Sequence, residues 1–417
     1  MNLSAISISR YRSIREKTRL GIRPITILIG KNGSGKSVIS RLPLIISEGL
    51  HFGKINEPIN IGAGGVRHAV DYEDIPYMKS ALPFVLGIEF DDVTGKTSIE
   101  VTFRYVKERS GIIVDSFQVD IDGRREVEIA LCDDEQLIKN RPKYRSSGNC
   151  GRDCGVAGFS GFLPVVEGDG WSQWKKIEEK IISSFPQASY LGPFRTEVGH
   201  FIGSPRQGIN FLGAQGEMTV EILADDLMRG HGRLIDDVSA WFERAMGCKI
   251  RLEKCGNYFK ILVQESDGDF GINLSDTGAG FSQVLPIVVQ AYLSKRRRDL
   301  KSAFIVEQPE LHLHPAAHGN LADLFIEAMN HSGPILIETH SEQIIMRIRR
   351  RIAEGLDPKN VVLWSVGHGS GENISNSTIK EIHFDKSGDP DDWPSGVFEE
   401  SFNDIAAIRK AVREHEN

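Results

Sequence analysis

Residues 30–37 read GKNGSGKS, a complete G-x-x-x-x-G-K-[ST] pattern. The stretch follows a continuous apolar run, ITILIG, and precedes an apolar segment with helical spacing. That strand–loop–helix context is what gives the pattern physical meaning. Gly30, Gly33 and Gly35 permit torsions that a side chain would block, so successive N–H groups can point inward at an anion. Asn32 and Ser34 complete the cradle, at the positive end of the helix that follows. The Lys36 ammonium suits β- and γ-phosphates, and the Ser37 hydroxyl suits a magnesium ion. A nucleotide with Mg2+ is therefore the expected ligand, and a strand must end at this loop.

Composition narrows the class further. The 417 residues are 40% hydrophobic and 26% charged, enough to bury a large core. A net charge of −7 excludes a surface that is basic throughout, so any nucleic-acid contact must be local. Two basic clusters could supply it: Lys295, Arg296, Arg297 and Arg298, and then Arg347, Arg349, Arg350 and Arg351. The opposing reading is a solvated helix end, where positive charge suits the dipole. Five scattered cysteines read as reduced thiols; Cys150 and Cys154 have a zinc-like spacing but no second pair. The first residues lack the apolar core of a signal peptide, and no apolar run is long enough for a bilayer. A cytoplasmic protein with no membrane contact is expected.

Periodicity gives two strands within residues 3–30 and a helix at 36–46. Four antiparallel strands follow over 84–132, and 140–170 reads as a long glycine-rich exposed loop. Helical patterns occupy 172–184, 218–229 and 234–246, and a hairpin follows them. From 281 onward helices and strands alternate: 281–297, 303–307, 316–330, 335–338, 341–353 and 361–366. This is the signature of a parallel α/β layer. A strand near 378–384 and a helix at 400–414 end the pattern. The expected organisation is a strand-rich lobe at 1–132, a helical and inserted region at 133–248, and a second lobe at 249–417.

Three later segments accompany the phosphate loop. NLSDTGAGFSQVLPIVVQ, at 273–290, is a Ser/Gly turn feeding an apolar helix. Ser275, Gly278, Gly280, Ser282 and Gln283 there could offer donors to a second anion. AFIVEQPE and PILIETHS follow, with His340 at a strand end. In this order the chain resembles an ABC-type ATPase head. With YLGPFRTE, EQPELHLHP, ETHS and the tail DDWPSGVFEESFNDI it is similar to compact members of the SMC/RecF/OLD branch. The resemblance implies an α/β ABC-ATPase head fold, with a mixed or antiparallel β lobe, a parallel α/β lobe, helical insertions and no long coiled coil. It further implies a homodimer or higher homo-oligomer that sandwiches ATP. In that sandwich the Ser/Gly turn acts in trans, His340 senses the γ-phosphate and Arg12 lies near the base. Relatives serve as ATPase subunits of anti-phage systems, which implies an effector partner such as a nuclease or toxin. A RecF-like clamp on nucleic acid and a non-hydrolysing nucleotide-gated scaffold are the rival readings.

The position after the apolar run sharpens the chemistry. Glu307 stands where the family places its magnesium acid, and Gln308 where it places the base. An amide can orient water but cannot accept its proton. Loss of a general base costs about 10²–10⁴-fold. Glu310 and Glu338 are the acids near enough in sequence to replace it, and slow hydrolysis through one of them is the favoured reading. His312, His314 and His318 could be metal ligands, but interface hydrogen bonding is preferred for lack of a further ligand at metal spacing. Arg195 could reach phosphate, link the lobes or form a structural ion pair.

Overall fold

The computed structural model describes the chain apart from residues 56, 94, 133–141, 153, 204, 206–210, 267, 269, 297–301, 369–375, 395–397, 399–406 and 408–417. The chain opens with β1 (Asn2–Ser9), β2 (Thr18–Gly21) and β3 (Ile25–Gly30). The phosphate loop leads into α1 (Lys36–Ser40) and α2 (Leu42–His51). Next come β4 (Phe84–Asp92), β5 (Gly95–Val106), β6 (Gly111–Ile121), β7 (Arg124–Leu131), β8 (Tyr144–Ser147), β9 (Val156–Ser160) and β10 (Leu163–Val166). The middle holds α3 (Ser172–Ser184), β11 (Ala188–Leu191), β12 (Ile202–Gly203), α4 (Thr219–Arg229), α5 (Arg233–Met246), β13 (Cys248–Cys255), β14 (Tyr258–Glu265) and β15 (Gly271–Asn273). The last part contains α6 (Ala279–Arg296), β16 (Ala303–Glu307), α7 (Pro315–Ala328), β17 (Ile335–Glu338), α8 (Glu342–Ala353), β18 (Val361–His368) and β19 (Ser377–Ile382).

Two large sheets organise these elements. One is antiparallel, in the order β2-β1-β4-β5-β6-β7-β8. The other runs β11-β16-β17-β3-β18-β19 and is parallel except for β19. The parallel sheet separates two apolar cores. Ile25, Ile27 and Ile29 of β3 point to a core shared with α4–α8, while Leu28 points to the core of the antiparallel sheet. Likewise Val361 and Leu363 of β18 face the first core, and Val362, Trp364 and Val366 face the second. A strand buried on both faces must be apolar at every position, which is why ITILIG and VVLW show no alternation. Each such side chain contributes about 1.5–3 kcal/mol on burial. A smaller sheet of β12, β13, β14 and β15 packs on α5.

The elements depart from the sequence reading in three places. Residues 3–30 hold three strands, because the short β2 pairs with β1 in register Ile6↔Leu20. The helix after the phosphate loop continues to His51, with Arg41 as a joint of helical torsion between α1 and α2. Much of the stretch at 140–170 is folded rather than an exposed loop. Tyr144–Ser147 extends the antiparallel sheet, 156–166 forms a hairpin, and Phe159 and Phe162 are buried. Its glycines act as close-packing positions. Gly161 has φ +58, and a Cβ there would strike the carbonyl of Gly49 in α2. The helix expected at 400–414, apart from Ala407, and residues 133–141 lie outside the described residues. No helix among the described residues is long and apolar enough to cross a membrane.

Candidate nucleotide site

In open parallel sheets, ligands sit at the carboxyl ends of the strands. Here β3, β16 and β17 all end at one place. The register pairs Glu307 with Glu338, and Glu338 with Leu28 one turn of chain before the loop. Strand β17 therefore lies between the phosphate-loop strand and the strand that carries Glu307.

The loop itself is braced from below. Gly35, at φ +97, caps α1, and a Cβ there would meet Ser13 Oγ at 2.8 Å and Ser377 Oγ at 2.9 Å. Ser377 Oγ donates to the Ser34 carbonyl (2.7 Å) and accepts from the Ser13 hydroxyl (2.7 Å). Lys31, Asn32 and Gly33 stay exposed, so the loop rim faces solvent. Lys36 is buried and curls back on its own loop, donating to the carbonyls of Gly30 and Lys31, each at 2.9 Å. Burial lowers its affinity for the proton, against the pull of Glu338. These two carbonyl contacts are of the kind a phosphate would replace.

Side chains one helical turn apart on α1 and its joint face the two acids, as i, i+3 and i+4 positions must. Ser37 Oγ donates to Glu338 Oε1 (3.1 Å). Ser40 Oγ lies 3.2 Å from Glu338 Oε2 and 3.3 Å from Glu307 Oε1. Arg41 closes on Glu307 with a bidentate pair, Nε to Oε1 at 2.6 Å and Nη2 to Oε2 at 2.7 Å. Its guanidinium also lies over the Tyr190 ring, 5.4 Å from the centroid. The acid in contact with Ser37 is thus Glu338, whereas the motif points to Glu307. Burial, and then the charge of Glu307, push Glu338 up to about 7. A hydroxyl beside two neighbouring carboxyl groups is an oxygen donor set that suits a small hard cation.

The turn after β16 is unusual. Gln308 adopts φ 44, a left-handed torsion rare for a residue with a side chain. Its N–H donates to the Glu338 carbonyl (2.7 Å). Glu310 Oε1 accepts from the His340 N–H at 2.7 Å. Its other oxygen, Oε2, is buried with no hydrogen-bond partner among the described residues. Burial raises this carboxyl above its usual range, with the His340 N–H as the main counterweight. His340 itself stands exposed at the mouth, and partial burial followed by the Lys36 charge holds its imidazole low.

The Ser/Gly turn divides into two parts. Ser275 Oγ meets His200 Nδ1 (2.9 Å) and the Asn273 side chain (2.8 Å), and Gly278 is exposed. Gly280 packs over the His312 carbonyl. Ser282 and Gln283 are buried. Helix α6 is buried on every side from Ser282 to Ser294, so residues 282 and 283 are covered whatever their helical phase. Arg12 donates to the Asp74 carbonyl (2.9 Å) rather than to the phosphate loop. The histidines do separate work. His314 caps α7, His318 bridges Ser341 Oγ and the Leu313 carbonyl, and His312 is exposed at φ 66. Among the described residues no group of three His, Cys, Asp or Glu side chains is arranged to hold a metal. Arg41, Ser40 and Ser377 were not singled out by the sequence. Ser40 and Arg41 could have been, from their helical spacing after Ser37.

Residues 219–345, from α4 into α8, match the AAA ATPase domain family. Among solved structures, an SMC head bound to the C-winged helix domain of ScpA is similar at 12% identity and a TM-score of 0.50. The similarity covers 92% of this chain and 98% of that one. The chain has the fold of an SMC-type ATPase head. An SMC head with an extended coiled coil, bound to the C-terminal domain of ScpA from Pyrococcus furiosus, is also found. It has 12% identity over 98% of this chain and 99% of its own, with a TM-score of 0.46. The SMC head domain from Thermotoga maritima gives 14% identity, 91% and 98% coverage and a TM-score of 0.42. No curated protein matches the sequence. In this head fold the phosphate loop, Glu307, Glu338 and His340 share one end of the parallel sheet, with the Ser275–Gly280 turn on the same chain.

Proposed function

We propose that this chain is a cytoplasmic Mg2+-dependent ATPase whose two copies close head to tail around ATP, and that closure switches an effector partner in anti-phage defence. The observation that carries the reading is the meeting of Lys36, Ser37, Glu307 and Glu338 at the strand ends, with a separate Ser/Gly turn partly exposed on the same chain. Ser37 and Glu338 would hold magnesium, which supplies charge neutralisation at the phosphates. Lys36 would leave its two carbonyls for the β- and γ-phosphates.

Glu310 is the base in this reading. Water attacks the γ-phosphorus, its proton passes to Glu310 Oε2, and the bond to the β-phosphate oxygen breaks to leave ADP and inorganic phosphate. Gln308 orients the water. Ser275, Gly278 and Gly280 serve the ATP held by the other protomer. A nuclease or toxin as effector rests on the resemblance of EQPELHLHP and ETHS to defence ATPases.

Direct clamping of nucleic acid is the weaker reading. Arg347 and Arg351 pair with Asp323, Arg350 with Glu354, Arg349 with Asp389, Lys295 with Glu327 and Arg296 with Asp237. Charges committed to acids make a poor phosphate track. Arg297 and Arg298 lie outside the described residues.

Light scattering of the purified chain, with and without a non-cleavable ATP analogue and magnesium, tests the closure. The mass should double only with nucleotide, and Lys36→Ala should abolish the change. A monomer under both conditions refutes the dimer. Added duplex DNA should leave the mass unchanged, and a salt-dependent DNA complex would favour the clamp.

A further inference from the structure

Arg195 follows β11, whose Leu191 pairs with Val306 of β16. It is 4% exposed, yet no carboxylate among the described residues hydrogen-bonds it. Instead Nη2 donates to the Glu307 carbonyl at 2.8 Å and Nη1 to the Gln283 carbonyl at 3.4 Å. The backbone of Arg195 is gripped in return. Its N–H donates to Gln283 Oε1 (3.1 Å), and its carbonyl accepts from Gln283 Nε2 (2.8 Å). The Nε–H is buried without a partner among the described residues. Burying a guanidinium on two carbonyls is costly, and the nearby carboxyl groups of Glu310 and Glu307 offset only part of that cost.

The two carbonyls belong to different functional turns. Glu307 contributes the last carbonyl before left-handed Gln308, whose own N–H is held by Glu338 on the other side. Gln283 lies in the first turns of α6, directly after the Ser275–Gly280 turn. We propose that Arg195 is a positioning residue that joins the Ser275–Gly280 turn to the Gln308–Glu310 turn within one protomer, so that a triphosphate engaging the first turn sets the backbone of the second. The coupling rests on the ATPase reading above. It acts through rigid hydrogen bonds to main-chain atoms, with no contact between Arg195 and nucleotide. Lysine cannot reproduce it, since one ammonium lacks the planar fork that spans both carbonyls.

Hydrogen exchange on the nucleotide-free chain tests the joint directly. In wild type the amides of Gln308 and Leu311 are hydrogen-bonded. In Arg195→Met they should exchange at least about tenfold faster, while amides of β16 keep their rates. Gln283→Ala, which touches Arg195 but not that turn, should loosen the same amides. Unchanged exchange at Gln308 and Leu311 in both variants overturns the proposal. In turnover, Arg195→Met should lower kcat by about 10²-fold and leave ATP affinity within about threefold, as a misplaced reacting geometry does. Arg195→Lys should recover melting temperature without recovering kcat. A lysine variant that recovers both, or a methionine variant that loses affinity and melting temperature together at full kcat, assigns Arg195 to packing alone and also overturns it. A wild-type chain that binds no ATP sinks the ATPase reading instead, and the exchange comparison still decides whether Arg195 joins the two turns.

Discussion

Ser37 Oγ donates to Glu338 Oε1 across 3.1 Å, and that contact ties the first turn after the phosphate loop to the strand beside it. Glu338 pairs in turn with Glu307, whose carboxylate is closed by Arg41. Two buried acids thus sit side by side, with Arg41 paired to Glu307 and the Lys36 charge acting on Glu338. Such a pair cannot ionise freely, and one member holds its proton to higher pH.

Glu338 gives this arrangement a measurable pH dependence. Its carboxyl moves from the ordinary 4.5 up to about 7, chiefly by burial and then by the Glu307 charge. The folded state therefore binds the proton more tightly than the unfolded state. The stability from this group is complete below about 4.5 and is lost as pH rises through about 7. Glu338→Gln carries no such proton. It should match wild type near pH 4.5 and exceed it by about 1–3 kcal/mol near pH 8 in urea unfolding. Magnesium near pH 8 should stabilise wild type and not the variant, because the cation favours the ionised carboxyl. Parallel stability curves for the two proteins would show that Glu338 does not hold its proton.

Gly35 carries the second prediction. Its φ of +97 disfavours any L side chain, and a methyl group would press on the Ser13 and Ser377 hydroxyls that brace the loop. Gly35→Ala should destabilise the fold by about 1–3 kcal/mol. It should also weaken ATP binding at least about tenfold, because the N–H groups of the cradle turn with the backbone. Ser377→Ala removes part of the same brace without changing loop torsion, so it should weaken binding less. Calorimetric titration with ATP compares the two, and equal affinity for Gly35→Ala and wild type contradicts the brace.

The phosphate loop, the two core strands and the alternating α/β layer were legible because each rests on local rules. A strand buried on both faces is apolar throughout, and a glycine cradle has few spellings. Which acid meets Ser37 was not legible, since it depends on spatial strand order. Only the insertion of β17 between β3 and β16 puts Glu338 ahead of Glu307. The folding of 144–166 was hidden for a different reason. Glycines that usually mark loops here allow chain segments to touch, and Phe159, Phe162 and Leu163 bury the hairpin. Ser282 and Gln283 open a run of α6 that is buried on every side through Ser294, a packing that a Ser-Gln pair does not announce in sequence.

The proposed reaction gives Gln308 the orientation of water and Glu310 its proton. Glu310 Oε1 is occupied by the His340 N–H, and Oε2 remains an unpaired acceptor in a buried place. A buried acceptor of that kind calls for a water or a ligand group. Glu310→Gln should cut kcat by about 10²–10⁴-fold with ATP affinity nearly unchanged. Gln308→Glu introduces a second carboxylate at the position the related ATPases use, and should raise kcat. Phosphate-release assays decide it, and equal rates for Glu310→Gln and wild type remove Glu310 from the reaction.

Gly278 offers the cleanest separation of the two halves of the site. It is exposed, and a Cβ built there meets nothing within 4 Å, so a side chain costs its own protomer little. Gly280 differs, because a Cβ there would press on the His312 carbonyl at 2.9 Å. Gly278→Glu should therefore keep its melting temperature and its ATP affinity as a monomer. In a closed dimer the new carboxylate would face a triphosphate, and like charges at a desolvated interface cost several kcal/mol. The variant should lose nucleotide-dependent doubling of mass and at least about 10²-fold in turnover. Mixed with a Lys36→Ala chain, which keeps an intact turn but binds no ATP, it should regain one working site and a fraction of the activity. Full dimerisation of Gly278→Glu with the analogue would mean that this turn does not face the nucleotide of its partner.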